Sequence, residues 1–388
     1  MCVRRLQDLS GRYSARLHEV RDQSEITYSP RERGRARRKP DDCRTTSMLQ
    51  HVRGALRRSF SSSASPVHFE TLDVFATSRF GGNPLAVVFD EQQRLSDSEM
   101  QQVAAEFNYS ETTFVLPPRD PERNTAWVRI FSPKEEFPFA GHPNVGTATV
   151  LARRGEIFGR PVGRSVRLEE KAGDVPLDII YDSSGKPAGA MLTAPAPFAI
   201  ASPPLSVDGV ASSLGLEAAD VSTMHHAPLA ATTGLPFIIA ELVSLDALKR
   251  SRGVPAAFAQ ARAADATLYA APPKVLVYVR QDAATTSSSE LALRCRMHRA
   301  DGSEDAGTGG ANAALIGLLA SLWKVPRDVT GVTTISAHIV QGVEMGRPSE
   351  LRAEAERRAT GEGAAAVGAV RIGGYCAAVS RGELLGFE

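Results

Sequence analysis

The fold is decided by the stretch Arg294-Cys-Arg-Met-His-Arg-Ala-Asp-Gly-Ser-Glu-Asp-Ala-Gly-Thr-Gly-Gly-Ala-Asn-Ala-Ala-Leu315. Residues 291–297 at its start predict a strand, and a polar turn with Glu304 and Asp305 follows. Three glycines then open a helix whose apolar residues are Ala311, Ala314, Leu315, Leu318, Leu319 and Leu322. This spacing predicts a buried helix. The helix N-terminus offers backbone N–H groups and the positive end of the dipole, which suit a carboxylate or a phosphate.

Two other interpretations of the three glycines are open at this point. Glycine is also used at helix ends for turn geometry alone. A dinucleotide-binding loop fits less well, because a G-x-G-x-x-G frame from Gly307 has Asn312 at its third position. No lysine of the P-loop type follows.

The first half of the chain repeats the pattern. Phe139-Ala-Gly-His-Pro-Asn-Val-Gly-Thr-Ala-Thr-Val150 is again a glycine-containing turn that leads into an apolar helix, and Gly155 is the expected C-terminal stop. Strands are predicted on both sides of each helix, so the expected fold class is α/β with two pseudo-duplicated halves. If the two helix N-termini face each other, they form one anion site between the halves.

A Pro- and Ala-rich stretch at 194–204 marks the crossover between the halves. We therefore expect an N-terminal lobe of residues 66–193 with 367–388, and a C-terminal lobe of residues 194–366. A chain of 388 residues is long enough for two lobes that each have a core.

Residues 1–65 form a basic leader, with 15 of the 45 Lys and Arg residues but 7 of the 44 Asp and Glu residues. Residues 1–47 have the composition of a disordered segment. From Met48 to Ser65, three arginines, no acid, an apolar stripe and a serine tail are typical of a mitochondrial transit peptide. We therefore predict that translation starts at Met48 and that the protein is mitochondrial. A basic tail on a cytoplasmic protein is the alternative.

The remaining chain carries 30 basic and 37 acidic residues, which gives no case for nucleic-acid binding. No apolar run reaches the length of a transmembrane helix, so no membrane partner is expected. The four cysteines show neither metal-site spacing nor a disulfide framework.

Six short motifs, in their order and spacing, resemble the PhzF-like family of phenazine biosynthesis, which shares the diaminopimelate-epimerase fold. They are Gly82-Asn-Pro84, Asn108-Tyr-Ser-Glu-Thr-Thr-Phe114, Arg129-Ile-Phe-Ser-Pro133, Phe139-Ala-Gly-His-Pro143, Glu304-Asp-Ala-Gly-Thr-Gly-Gly-Ala311, and Gln341-Gly with Gly346-Arg-Pro-Ser349. The resemblance covers most of residues 67–388. It implies two α/β halves, each a curved sheet around a central helix, with the substrate between them. It also implies no metal or organic cofactor, a homodimer, and isomerase or epimerase activity by proton transfer at carbon.

The resemblance further implies roles for individual residues. Glu111 matches the catalytic carboxylate, His142 the histidine of the first glycine turn, and Asp305 the aspartate of the second. The expected substrate-binding residues are Gly141, Thr308, Gly309, Gly310 and Asn83, and no metal ligand is expected. Two positions depart from the family, since Ala306 stands where proline is usual and Gly310 where the phenazine isomerases have serine. Loss of that hydroxyl removes one substrate hydrogen bond, worth about 1 kcal/mol.

Proton removal from carbon needs a base within reach and a site that stabilises the developing charge. Glu111 is the candidate base, because burial in a dry cleft raises the pKa of a carboxyl group. A solvated glutamate at a helix end is the alternative. Asp305 either contacts the substrate or caps the helix, and His142 either acts on the substrate or is a buried histidine bonded to backbone. Neither turn offers a cysteine pair, which disfavours the two-thiol mechanism of diaminopimelate epimerases, and Cys295 is expected to pack in the core.

We therefore predict a cofactor-independent isomerase that acts on a small carboxylic acid. The second hypothesis is a protein of the same fold that binds a metabolite or a protein partner without turnover, since fold does not determine function. A hydrolase or lyase that uses the same base ranks third. Solvated carboxylates at Glu111 and Asp305 would favour the binding protein.

Overall fold

The computed structural model describes residues 66–201, 206–264, 273–281, 290–322, 332–359 and 365–387. The predicted leader with Met48 lies outside these ranges, and its targeting role therefore stays a prediction. The loop predicted at 282–289 also lies outside them.

Six α-helices occur in the described ranges. They are Asp97–Phe107 (α1), Gly141–Arg154 (α2), Val207–Ser213 (α3), Leu245–Arg250 (α4), Pro255–Ala264 (α5) and Gly309–Leu322 (α6). Short 3-10 turns lie at Ala218–Asp220 and Val343–Met345. None of these helices has the length and hydropathy that crossing a membrane requires.

Strands make up most of the remaining described chain. They are Val67–Val74 (β1), Asn83–Phe89 (β2), Glu111–Leu116 (β3), Ala126–Phe131 (β4), Glu136–Phe137 (β5), Glu156–Ile157 (β6), Arg160–Pro161 (β7), Ser165–Glu170 (β8), Gly173–Tyr181 (β9), Pro187–Thr193 (β10), Ala199–Ala201 (β11), Val221–Ser222 (β12), Leu229–Thr232 (β13), Pro236–Leu242 (β14), Lys274–Arg280 (β15), Glu290–Arg299 (β16), Glu304–Asp305 (β17), Val332–Gln341 (β18), Ser349–Ala359 (β19) and Ala365–Leu384 (β20). β6 and β7 form a hairpin, and the other eighteen form one sheet with parallel and antiparallel pairs.

Helix α2 is the central helix of the first half. It packs against β1, β2, β3, β8, β9, β10 and β20. Its buried residues run without interruption from His142 to Ala152, because strands surround the helix on every side. As predicted, Gly155 ends the helix in the left-handed conformation, with its N–H bonded to the carbonyl of Leu151.

Helix α6 has the same place in the second half, where it packs against β13, β14, β18, β19 and β20. Nearly all of its residues from Gly309 to Ala320 are buried, which confirms the buried helix that the sequence predicts. Leu322 was expected on the buried stripe but is 40% exposed, because it is the last residue of the helix. The predicted fold, a sheet wrapped around a central helix in each half, is confirmed.

The longest strand, β20, joins the two halves of the sheet. It pairs with β1 and β10 from the first half and with β19 from the second, all antiparallel. The sequence indicates this strand only over 367–379, and it does not indicate β11, β12 and β13, which are too short for a clear alternation.

The N-termini of α2 and α6 touch each other through two glycines. A Cβ atom added to Gly141 would lie 3.3 Å from the Cα of Gly309 and 3.3 Å from the backbone nitrogen of Gly310. A Cβ atom added to Gly309 would lie 3.4 Å from the Cα of Gly141. The two helix ends therefore lie in close contact, and a side chain at either glycine would have to displace its neighbour by a few tenths of an ångström.

Replacing Gly141 by Ala tests this contact. The added Cβ must push the two helix ends apart, so we expect the free energy of unfolding to fall by about 1–3 kcal/mol in urea denaturation. Because Gly309→Ala strains the same contact, the double variant should lose less stability than the sum of the two single variants. Gly163→Ala is the control, since the atom nearest to its added Cβ is 3.9 Å away. Equal stability of Gly141→Ala and this control would contradict the prediction.

Candidate active site

A cavity of about 230 Å³ lies where the two helix N-termini meet. It is smaller than the roughly 300–1,000 Å³ of sites for drug-sized ligands, which indicates a small metabolite. Its lining residues come from both halves of the chain: Glu111, Phe137, Pro138, Phe139, Ala140, Gly141, His142, Thr233, Leu235, Phe237, Lys274, Met297, Arg299, Asp305, Gly307, Thr308, Gly309 and Gly310. The structure thus brings together all but one of the site residues that the sequence predicts.

Glu111 is the first residue of β3 and lies opposite Leu85 of the parallel strand β2. The preceding helix α1 begins at a capping box of Ser96 and Glu99 and ends at Asn108 in the left-handed conformation, which turns the chain toward β3. The Glu111 side chain is only 13% exposed. Burial, reinforced by the negative charge of Asp305, raises its pKa to about 8. The alternative of a solvated helix-end glutamate is therefore not supported.

His142 is the second residue of α2 and is buried at the cavity wall. Its Nδ1 atom lies 3.4 Å from Oε2 of Glu111. Burial lowers the pKa of His142 to about 4, so the imidazole is neutral near pH 7. Because this imidazole is neutral, it does not place a positive charge beside the Glu111 carboxyl group.

Asp305 lies in the short strand β17 at the opposite wall. Its Oδ1 atom accepts a hydrogen bond from Asn83 Nδ2 at 3.1 Å and lies 3.3 Å from a guanidinium nitrogen of Arg299. Its Oδ2 atom accepts a hydrogen bond from Thr308 Oγ1 at 2.5 Å. Because α6 begins only at Gly309 and these partners are side chains, the carboxylate does not act as the predicted helix cap.

Asn83 is the predicted site residue that the cavity does not include. Its side chain is fully buried behind the wall. The Nδ2 atom donates to Asp305 Oδ1 at 3.1 Å and to the Gly307 carbonyl at 3.0 Å, and it lies 3.4 Å from Nδ1 of His142. Asn83 was expected among the substrate-binding residues, but this geometry makes it a support that holds Asp305 and His142.

Gln341 is a second support. It belongs to the Gln341-Gly motif, but the sequence alone does not indicate its role. Its Nε2 atom donates to the Asp305 carbonyl at 2.8 Å and to Thr308 Oγ1 at 3.0 Å. Its Oε1 atom accepts from Asn312 Nδ2 at 2.7 Å and from the Thr308 N–H at 3.2 Å. This buried amide connects the turn, the start of α6 and the helix interior.

Sequence reasoning missed two cations of the cavity wall, Lys274 and Arg299. Lys274 begins β15, Arg299 ends β16, and the antiparallel register places them directly opposite each other. Lys274 stands at the edge of an apolar run, whereas Arg299 ends a strand that already contains Arg294 and Arg296, and both are weak signals in the sequence. The pairing of the strands was not predictable from the residues alone.

Gly310 has room for a larger side chain. A Cβ atom added there would meet the ring of Phe237 at 3.4 Å, an ordinary contact distance. A Cβ atom would therefore fit at this position, so the packing around Cβ does not itself require glycine.

Cys295 is fully buried on β16, and burial raises the pKa of its thiol. It does not line the cavity, as expected from the sequence. No cluster of three or more His, Cys, Asp or Glu side chains suited to a metal ion is found within the described ranges.

The cavity combines an anion site with a proton carrier. The N-cap residue of α2, Ala140, provides no side-chain hydrogen bond to the first helical N–H groups. The first N–H groups of a helix have no partner within the helix, and they carry the positive end of its dipole. With two such ends in contact and Glu111 nearby, the site can hold a carboxylate and exchange a proton with the bound molecule.

Comparison with known proteins identifies similar chains. The pattern of the family described as phenazine biosynthesis-like protein matches residues 72–382. An uncharacterized isomerase of Mesorhizobium japonicum is 35% identical over 315 residues, which are 80% of this chain and 96% of that protein. The trans-2,3-dihydro-3-hydroxyanthranilate isomerase of Pseudomonas chlororaphis is 31% identical over 299 residues, 75% of this chain and 91% of that protein.

Among solved structures, the PhzF-family phenazine biosynthesis protein of Bacillus anthracis has a similar fold. The TM-score is 0.67 at 21% sequence identity, and the match covers 83% of this chain and 100% of that one. The likeness confirms the fold class that the sequence predicts.

The carboxyl group of Glu111 should titrate far above the ordinary value of 4.5. With ¹³C-labelled glutamate carboxyl groups, NMR should show two groups with a pKa of about 8, namely Glu111 and the buried Glu170 of β8. Asp305→Asn removes a negative charge and should lower the pKa of Glu111, whereas Arg299→Met should raise it.

Glu170 serves as the internal control for this titration. Burial alone raises its pKa, and neither Asp305 nor Arg299 contributes, so its titration should stay unchanged in both variants. Glu111→Gln and Glu170→Gln assign the two resonances. Titration of the Glu111 resonance near 4.5 would contradict the structure.

Proposed function

The chain belongs to the phenazine biosynthesis-like family of isomerases, and we propose that it moves a proton at carbon in a small carboxylic acid, with Glu111 as the proton carrier. The observation that carries the proposal is the position of this carboxyl group. It is 13% exposed, lines the cavity, and lies beside the paired helix N-termini.

The first step is removal of a proton from a carbon atom next to an unsaturated or carbonyl group by the ionised Glu111. The electron pair of the broken C–H bond moves into the neighbouring π system, whose developing negative charge the helix N-termini stabilise. The carboxylic acid then returns the proton to another carbon or to the opposite face. The reaction gains and loses no net proton, as an isomerisation requires.

The raised pKa of Glu111 suits both steps. A group with a pKa of about 8 is ionised in about one molecule in ten at pH 7, so the base and the acid are both populated. General acid–base catalysis is most effective when the pKa lies near the working pH.

His142 and Asp305 are proposed to assist. The neutral imidazole of His142 holds the Glu111 carboxyl in place without adding a positive charge that would favour its ionised form. Asp305, held by Asn83 and Thr308, is proposed to accept a hydrogen bond from a substrate hydroxyl or amino group.

The alternative of a binding protein without turnover predicts solvated carboxylates at the site. Glu111 and Asp305 are instead both largely removed from solvent. The catalytic proposal is therefore preferred, and the homodimer that the family resemblance implies stays a prediction.

Glu111→Gln tests the proposal, because the amide keeps the size of the side chain but cannot take a proton from carbon. We expect deuterium incorporation from D₂O into the substrate, followed by proton NMR, to fall by roughly 10²–10⁴-fold. The relative from Pseudomonas chlororaphis acts on trans-2,3-dihydro-3-hydroxyanthranilate, so this monocarboxylate is tested beside small dicarboxylic acids. Glu170→Gln, which changes a buried carboxyl group outside the cavity lining, is the control. Undiminished exchange in Glu111→Gln would exclude this residue from the mechanism.

The pH dependence of exchange provides a separate test. Because the ionised form of Glu111 is the base, kcat/KM should rise about tenfold per pH unit below 8 and level off above about 8. Asp305→Asn should move this profile to lower pH, since the negative charge of Asp305 raises the pKa of Glu111. A rate that falls as the pH rises through 8 would show that Glu111 starts the reaction as an acid.

A further inference from the structure

Two positive side chains face each other at the cavity. Lys274 and Arg299 are direct partners in the antiparallel register of β15 and β16, and both line the cavity wall. Like charges directly opposite each other destabilise a sheet. A pairing that breaks this rule inside a cavity indicates a site for negative charge.

Only one of these two cations has a carboxylate partner within the described part of the chain. Arg299 lies 3.3 Å from Oδ1 of Asp305. Lys274 forms no ion pair with any described residue, and its ammonium group lies 5.9 Å from the ring centroid of Phe237. A cation–π contact of this length does not neutralise the charge.

The balance of charge in the cavity is therefore positive. Asp305 offsets Arg299, His142 is neutral near pH 7, and Glu111 is mostly protonated there. Lys274 and the two helix N-termini remain without a counter-charge among the lining residues. One substrate carboxylate at the helix ends still leaves the lysine unmatched.

The ring of Phe237 lies near both positive regions. One edge of the ring lies 3.4 Å from the position that a Cβ atom of Gly310 would occupy, at the N-terminus of α6. The ammonium group of Lys274 lies 5.9 Å from the centroid of the same ring. Because the lysine and the helix end line one cavity, two negative groups of one ligand can occupy the two positions.

We propose that Lys274 forms a second anion-binding position and that the substrate is a dicarboxylate, with one carboxylate at the helix N-termini and the other at the lysine ammonium. The inference rests on the proposed function, which places the first carboxylate at the helix ends. It goes further because it defines the substrate class by two negative groups, and because it makes Lys274 the residue that selects for the second.

Matched ligands that differ only in their second carboxylate test the proposal. Glutarate is compared with pentanoate, and benzene-1,3-dicarboxylate with benzoate, by isothermal titration calorimetry at constant ionic strength and pH 7. The wild-type protein should bind at least one dianion about tenfold or more tightly than its monoanion, as expected for a charged hydrogen bond. Absence of such a preference in both pairs would overturn the proposal.

Lys274→Met removes the charge and keeps the length of the side chain. The preferred dianion should lose about tenfold or more in affinity, whereas its monoanion should change by less than about twofold. Lys249→Met removes an exposed lysine outside the cavity and should leave both affinities unchanged. Equal losses for dianion and monoanion in Lys274→Met would show that this lysine serves only the shape or the general potential of the site, and the proposal would fail.

Glu111→Gln separates this inference from the catalytic proposal. The variant should keep the preference for the dianion, because the amide does not alter Lys274. If the preference persists while Glu111→Gln still exchanges deuterium, the second anion position stands and the role of Glu111 fails. If the exchange depends on Glu111 but the protein shows no preference for the dianion, the role of Glu111 stands and the second anion position fails.

Discussion

The contact between Gly141 and Gly309 is the constraint on which the rest of the structure depends. Two buried helices meet at their N-termini, where each carries the positive end of its dipole and N–H groups without a partner inside the helix. Such an arrangement is electrostatically unfavourable unless negative charge can enter between the ends. The wrapped sheet packs against both helices, and the cavity lies where their N-termini meet.

Polar side chains, of which Asn83 is fully buried and Arg347 partly exposed, hold the two halves in this arrangement. Asn83 of the first half donates to the Gly307 carbonyl and to Asp305 of the second. In the opposite direction, Arg347 donates to the carbonyls of Gly81 and Gly82 and pairs with Asp73. A buried polar group without its partner costs about 1–3 kcal/mol. These cross-connections therefore oppose separation of the helix ends at the site itself.

The sequence was sufficient to predict features that depend on residues close together in the chain. Helical spacing and glycine placement were sufficient to predict α2 and α6, whereas the meeting of their ends was only a condition of the predicted anion site, and the family resemblance indicated Glu111. The position of Asn83 behind the wall and the pairing of Lys274 with Arg299 depend on strand register and on which face of a strand points inward. Both properties arise from tertiary packing, and a shift of one residue would reverse them. The raised pKa of Glu111 likewise follows from burial, which residue type alone does not report.

Charge balance connects substrate binding to the state of Glu111. A carboxylate that enters the cavity adds negative charge near Glu111, which favours its protonated form and removes the base just when it is needed. Arg299 and Lys274 act in the other direction, since both lower the pKa of this carboxyl group against the effects of burial and of Asp305. The two cations therefore oppose the rise in the pKa of Glu111 that a bound carboxylate would cause. A substrate with two carboxylates would make the effect of these cations on the pKa of Glu111 more necessary. Its negative charge would also stabilise Lys274 and Arg299 in their positions opposite each other.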